Sequence, residues 1–359
     1  MSSSAPPLGE PQLQAVGQGS FGKVWLLTQT PYAFKTVLNT DSSADLEKEW
    51  STLVGVYATC SSTSFFAIPR PLAAFLPEST DQVRFAPPSP SIAPRQFRNR
   101  KRPPIPLPQS IFHENGFTAA TYAMTFIHNV PPLIAEFVVQ NFYSEKAQAA
   151  KVPKPNLLRI YFGRDGPEQV TSRFINSKNF AVNITQYTRL ADVFKLALSA
   201  PADVSQGMGE MIAKLHWLQG CDARDVEFVI GDTGSGGVEY WLLDFNQVGC
   251  QCIPCRRDLA TDIFALTKTR KFDREAGDID ELVQAHFFND PYFPIARAAD
   301  PLFAAFQLGY RAVLENCPYN IQARGEQFLT KLMEKQAEKD ASQANKEAAG
   351  IDALNRPLT

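Results

Sequence analysis

The chain lacks the marks of several protein classes. Its opening, "MSSSAPPLGEPQLQ", has no basic segment followed by an apolar one, and no apolar run anywhere is long enough to span a bilayer. The expectation is therefore a cytoplasmic protein with no membrane partner. It also lacks a large excess of either charge: 35 Lys and Arg stand against 37 Asp and Glu, a formal net charge of -2, so any surface for a polyanion must be local. Histidine is scarce and scattered, at 113, 128, 216 and 286. None is paired in sequence with Ser20, Ser235 or Cys221, so no activated nucleophile is evident. His216, within "KLHW" on an apolar helix, reads as a core residue.

Cysteine is equally uninformative. Cys250, Cys252 and Cys255 form C-x-C-x-x-C, but no second pair with zinc-finger spacing accompanies them, and Cys221 and Cys317 are isolated. Loop thiols without metal are the expectation, reduced as cytosolic thiols are. No internal repeat is visible. What remains is a chain of 359 residues, 44% hydrophobic and 20% charged, able to bury a large core as one two-lobed unit or two closely packed domains.

Alternation broken by glycine in "LQAVGQGSFGKVWLLTQTPYAFKTV" predicts strand, turn, strand, with "YAFKTV" a third strand. Helical spacing over 44–57 predicts a helix capped by Asp41 or Ser42. Residues 77–110, rich in proline and containing "RQFRNRKRPP", read as a long insertion. Strands are predicted at "TYAMTFI", "LLRIYFG" and "FAVNITQYT". After residue 190 the pattern is mainly helical: "LADVFKLALSA", "VSQGMGEMIAKLHWLQG", "LATDIFALTK", "PLFAAFQLGYRAVLEN" and "IQARGEQFLTKLMEKQAEKDASQANKEA". The division that follows is 11–190, 191–335, and a charged helix and tail over 336–359.

Gly17, Gly19 and Gly22 make G-x-G-x-x-G between two strands, not before a helix, which points to a loop folded over phosphates and away from a dinucleotide fingerprint. Lys35 on the third strand can point beneath that loop, and Glu49 on the next helix is a partner for it. Downstream, "GCDARDVEF" gathers Asp222, Asp225 and Glu227, and "WLLDFNQ" adds Asp244 and Asn246.

These motifs resemble the protein-kinase fold. The resemblance implies an α+β, two-lobed protein with a β-rich N-lobe and a mainly helical C-lobe. It lays Asp222 on the catalytic Asp, Glu227 on the metal-binding Asn and Asp244 on the metal-binding Asp. Gly220 and Cys221 replace the His-Arg that normally braces the loop, and Asn246 stands where Gly is usual. The acidic cluster needs a cation. Mg²⁺ held by Glu227 and Asp244 is one answer, a substrate guanidinium or ammonium is another, and pairing with Arg224, Arg256 or Arg257 is the third.

More narrowly, "MGEMIAKLHWLQGCDARDVEFVIG", "LLDFNQ" and "RRDLATDIFAL" resemble a fungal family labelled zinc-finger proteins of unknown function, which includes the arginine-containing cyclodipeptide synthases. The resemblance implies joining of arginine and a second amino acid, delivered as arginyl-tRNA and another aminoacyl-tRNA, into a diketopiperazine. No cofactor is required on that reading, and no DNA is bound. Asp222, Asp225, Glu227 and Asp244 are then the catalytic candidates, with Lys35, Glu49, Asn246, Gly17, Gly19 and Gly22 around the substrate. Direct aminolysis and an acyl-enzyme are both open. The alternative is an atypical phosphotransferase using Mg-ATP, or a kinase-like binding module without catalysis. A tRNA would meet residues 95–102 or the lysines of the last helix, although those lysines alternate with Glu334, Glu338 and Asp340 as on any solvated helix.

Overall fold

The computed structural model describes residues 10–19, 21–60, 64–79, 82–87, 107–164, 166, 167, 170, 175–245, 273–288 and 292–354, with side chains to residue 346. It is a mixed α+β structure with a sheet-rich region and a helical region.

The first region holds β1 (Leu13–Gln18), β2 (Gly22–Leu27), β3 (Tyr32–Val37), α1 (Ser43–Cys60), β4 (Pro71–Phe75), β5 (Val83–Phe85), α2 (Ile111–Glu114) and β6 (Thr121–Thr125). Its six strands are ordered β1-β2-β3-β6-β4-β5, and every neighbouring pair is antiparallel. Alternation along β3 covers both faces. Tyr32 and Phe34 pack with Phe112 and Phe117 on one side, while Val37 packs with Leu46, Trp50 and Leu53 of α1 on the other. Lys35 shares the face turned toward α1. Part of the segment expected to be an insertion pairs as a strand: β5 lies antiparallel to β4, Ala73 opposite Phe85. Residues 88–106, including the basic run, lie outside the described residues.

The second region holds α3 (Pro132–Phe142), α4 (Glu145–Ala149), β7 (Leu157–Tyr161), β8 (Asn179–Asn183), α5 (Ile184–Val193), α6 (Pro201–Ala213), β9 (Glu227–Asp232), β10 (Val238–Leu243), α7 (Ile279–Phe288), α8 (Pro301–Leu314) and α9 (Tyr319–Leu354). Four strands form a second sheet, β10-β9-β7-β8. The division expected at residue 190 thus cuts across this sheet, because β7, with β8 parallel to it on its other edge, pairs with β9 of the later β9–β10 hairpin. The strand expected through "FAVNITQYT" stops at Asn183. The Asn183 side chain accepts from Gln186 N–H while the Gln186 side chain accepts from Asn183 N–H, and this reciprocal cap starts α5. The last helix expected over 321–348 is present as α9, which runs unbroken from Tyr319, so the division at 335 falls within it.

Backbone hydrogen bonds tie the second sheet to segments that flank the first. Ala67, between α1 and β4, donates to Tyr240 O at 2.8 Å and accepts from Leu242 N–H at 2.9 Å; Asp232 N–H donates to His128 O at 3.0 Å. Beneath the second sheet, α6 crosses α8 at two glycines. A Cβ on Gly209 would stand 1.9 Å from Phe306 O, and one on Gly309 would stand 1.9 Å from Gln206 O. Both obstacles are backbone, so neither helix can yield without separating. Gly209→Ala is expected to lower stability by about 1–3 kcal/mol, read from the urea midpoint at unchanged slope. Among the described residues no helix is long and apolar enough to cross a membrane.

Candidate functional site

The site is built on three elements that converge from different parts of the chain. Lys35 on β3 donates to Glu49 Oε1 of α1 at 2.6 Å and to Asp244 Oδ1, just after β10, at 3.3 Å. Tyr122, paired with Lys35 across β3–β6, donates its hydroxyl to the same Glu49 oxygen at 3.0 Å. Burial alone would lower the Lys35 pKa, but Glu49 and Asp244 more than offset it, so the pKa is raised and the ammonium stays charged. The predicted pairing of Lys35 with Glu49 is therefore present, extended by Asp244.

The glycine turn meets this pair at Gly22. Gly17 faces Val24, and Gly19 N–H donates to Gly22 O at 3.0 Å to close the β1–β2 turn. A Cβ on Gly22 would lie 2.9 Å from Thr36 O and 3.5 Å from Lys35 Cε, so the lysine passes close beneath the loop. Among the described residues nothing lies within 4 Å of a Cβ built on Gly19.

The acidic loop approaches from the second sheet. Ala223, Asp225 and Asp244 all have left-handed backbone, at φ 56°, 63° and 65°. Such conformations cost non-glycine residues energy and persist where the surroundings impose them, often at functional sites. Asp225 is half-buried, and its carboxyl pKa is raised by burial and by Asp244, against the opposing charges of Arg159 and Lys35. Glu227 opens β9 and is buried. Burial pushes its pKa up to about 7, Asp244 and Asp225 adding to the rise and Arg159 and Asn179 opposing it.

Both Glu227 oxygens have partners inside the chain. Oε1 pairs with the Arg159 guanidinium, and Oε2 accepts from Asn179 Nδ2 at 3.1 Å. The internal cation on Glu227 is thus Arg159, not one of the arginines expected there, Arg224, Arg256 or Arg257. The signal was an arginine alone in the apolar strand "LLRIYFG". Arg224 instead places its guanidinium over the Phe288 ring, 5.2 Å from the centroid; Arg256 and Arg257 lie outside the described residues.

Asp222 is brought to the same loop but turned to a different task. It is buried, and its Oδ1 accepts from Arg224 N–H at 3.1 Å. Its backbone bonds the His216 ring, whose Nδ1 lies 3.0 Å from Tyr310 Oη. Burial lowers the His216 pKa to about 3, so the ring is neutral. His216 is a core histidine that also braces the acidic loop, a support the departure at Gly220 and Cys221 had suggested was lost. Asn246, Ser20 and the cysteines at 250, 252 and 255 lie outside the described residues. Of the last helix's lysines, Lys331 pairs with Asp280, Lys335 with Glu338, and Lys339 lies 4.6 Å from the Phe287 ring centroid.

Does this donor set suit Mg²⁺? An octahedral ion wants carboxylate oxygens free to turn toward it. Glu227 is held by Arg159 and Asn179, and Asp244 by Lys35, so the two do not present a ready ligand pair. Among the described residues no group of three His, Cys, Asp or Glu is arranged to hold a metal.

No protein-family profile matches the chain, and no characterised protein matches it.

Proposed function

We propose that the chain has a protein-kinase-like fold and catalyses tRNA-dependent aminoacyl transfer, joining arginine to a second amino acid as a diketopiperazine. The sheet order β1-β2-β3-β6-β4, the Lys35–Glu49 pair and the placement of Asp244 after β10 support the fold reading. The activity comes from the family resemblance, and one observation carries it to this site. Four carboxylates, Glu49, Asp225, Glu227 and Asp244, gather about Lys35 and Arg159 where the two sheets meet. A cluster of acids in that place suits a substrate that brings a positive charge, as an arginyl group does.

The chemistry needs little more from the chain. In each aminolysis the amine nitrogen attacks the ester carbonyl carbon and the carbon–oxygen bond to the tRNA ribose breaks. One proton passes from nitrogen to the departing ribose oxygen, and a second such step closes the ring. A carboxylate with a raised pKa can take up and return that proton near neutral pH. Holding both amino acids in one cleft supplies the remainder of the acceleration.

A second reading is favoured by Lys35 beneath the glycine loop: a kinase-like module that binds nucleotide. One experiment separates the two. Cells expressing the soluble chain are searched by mass spectrometry for arginine-containing cyclic dipeptides, and the purified protein is melted with and without Mg-ATP. The transfer reading expects the product. Absence of product together with a melting point raised by Mg-ATP would favour the module.

A further inference from the structure

The proposed transfer reading, on which the catalytic part of this inference rests, requires that the loop carrying Asp222 and Asp225 be held in place. Ala223 and Asp225 have left-handed backbone, at φ 56° and 63°, and such conformations persist only where neighbouring structure imposes them. One anchor is local: Asp222 Oδ1 accepts from Arg224 N–H at 3.1 Å. The other comes from the core of the helical region.

Residues Lys214–Gln219 continue α6 as a wide turn, a π-helix ended by left-handed Gly220 at φ 71°, where Cys221 N–H donates to Leu215 O at 2.8 Å. Such turns recur at functional sites, and they rotate less per residue than an α-helix, so consecutive side chains diverge less. His216 and Trp217 accordingly reach one hydroxyl, that of Tyr310 on α8. Trp217 Nε1 lies 2.6 Å from it and His216 Nδ1 lies 3.0 Å from it. All three side chains are buried.

The donors and acceptors give this chain of bonds one direction. An indole N–H only donates, so Tyr310 Oη accepts from Trp217 and has its own proton to give. Among the described residues His216 Nδ1 is the acceptor for that proton. The ring is neutral, so it carries its single proton on the other nitrogen, Nε2. Its hydrogen bond with the Asp222 backbone favours the charged ring, as a carbonyl acceptor does and an N–H donor would not; Nε2–H therefore donates to Asp222 O. The bonds run from Trp217 to Tyr310, to His216, to the acidic loop. For stability alone they are not needed, because apolar groups of the same shape can be nearly neutral in their place.

We propose that Tyr310 is a positioning residue for the transfer reaction: its hydroxyl fixes the proton of His216 on Nε2, and that N–H holds the Asp222 carbonyl and with it the backbone that carries Asp225. It acts through two hydrogen bonds and not on the reacting atoms. A misplacement of about 1 Å can cost on the order of 100-fold in rate, so a loosened loop is felt in turnover.

The test uses the purified full chain with isotope-labelled histidine. Proton–nitrogen spectra, with the His216 signals assigned by their loss in His216→Gln, are expected to show a neutral ring protonated on Nε2 in wild type. Tyr310→Phe removes only the hydroxyl. Amide exchange at Arg224, whose N–H bonds Asp222, should then quicken at least about tenfold, and kcat/KM for the cyclic dipeptide should fall at least about tenfold. Phe303→Leu, which loosens α8 in its buried face without touching the three residues, is the control. It should lower thermal stability and move neither readout. A His216 proton on Nδ1 in wild type overturns the proposal, and that result needs no variant to fold. So does a folded Tyr310→Phe in which Arg224 exchange or turnover matches wild type or the control. No cyclic dipeptide from wild type, with the proton on Nε2 and faster Arg224 exchange in Tyr310→Phe, would support the Tyr310 assignment and sink the transfer reading. Product from wild type with the proton on Nδ1 would do the reverse.

Discussion

Lys35→Met is expected to destabilise the protein by about 3–5 kcal/mol, and adding Glu49→Leu should recover most of that loss. The asymmetry follows from burial. Glu49 is 1% exposed, and its bonded oxygen takes its hydrogen bonds from Lys35 and Tyr122. Removing the lysine alone strands a carboxylate between α1 and the sheet, where hydration cannot replace the lost cation. Removing both charges leaves an apolar interface, a Tyr122 hydroxyl without its acceptor and a part-exposed Asp244 without Lys35, a smaller penalty of about 1–3 kcal/mol. Urea unfolding of the two single variants and the double variant measures the cycle. A cost below about 1 kcal/mol for Lys35→Met would mean that the pair is not held as described.

Asp225→Asn is expected to lower kcat/KM for the arginyl substrate by on the order of 100- to 1000-fold, mostly through KM, while leaving the fold intact. Asparagine is among the few residues that tolerate left-handed backbone, so the exchange removes the charge without disturbing φ 63°. It also removes a charge that burial, and after it repulsion from Asp244, disfavours, so the variant should melt no lower than wild type. Loss of one partner from a hydrogen-bonded charge pair at a binding site costs about 2–5 kcal/mol, which sets the size of the effect. Glu227→Gln should behave differently. It leaves Arg159 facing an amide, so activity and thermal stability should fall together.

Local pattern foretold much of the frame. Glycine spacing and strand alternation placed Gly17, Gly19, Gly22 and Lys35, and helical spacing placed Glu49, because each depends on residues within one or two elements. The pairing of β7 with β9 is not legible in the sequence. It joins Leu158 to Ile230 and Arg159 to Val229, and nothing in the local pattern of either strand announces the partner. The same distance hid Arg159: its place in the site is created by a strand pairing, whereas Arg224 stood next to the acids and looked like their partner. The end of β8 was readable in principle, since Asn183 and Gln186 have the spacing of a reciprocal cap. The apolar run around them favoured a longer strand instead.

The most direct measurement supplies purified wild-type protein with arginyl-tRNA carrying labelled arginine and with a pool of other aminoacyl-tRNAs, and follows label into cyclic dipeptide. The account predicts labelled product from wild type and a loss of at least about 100-fold in kcat/KM with Asp225→Asn. Equal turnover by wild type and Asp225→Asn, or no labelled product from folded wild type, would contradict it.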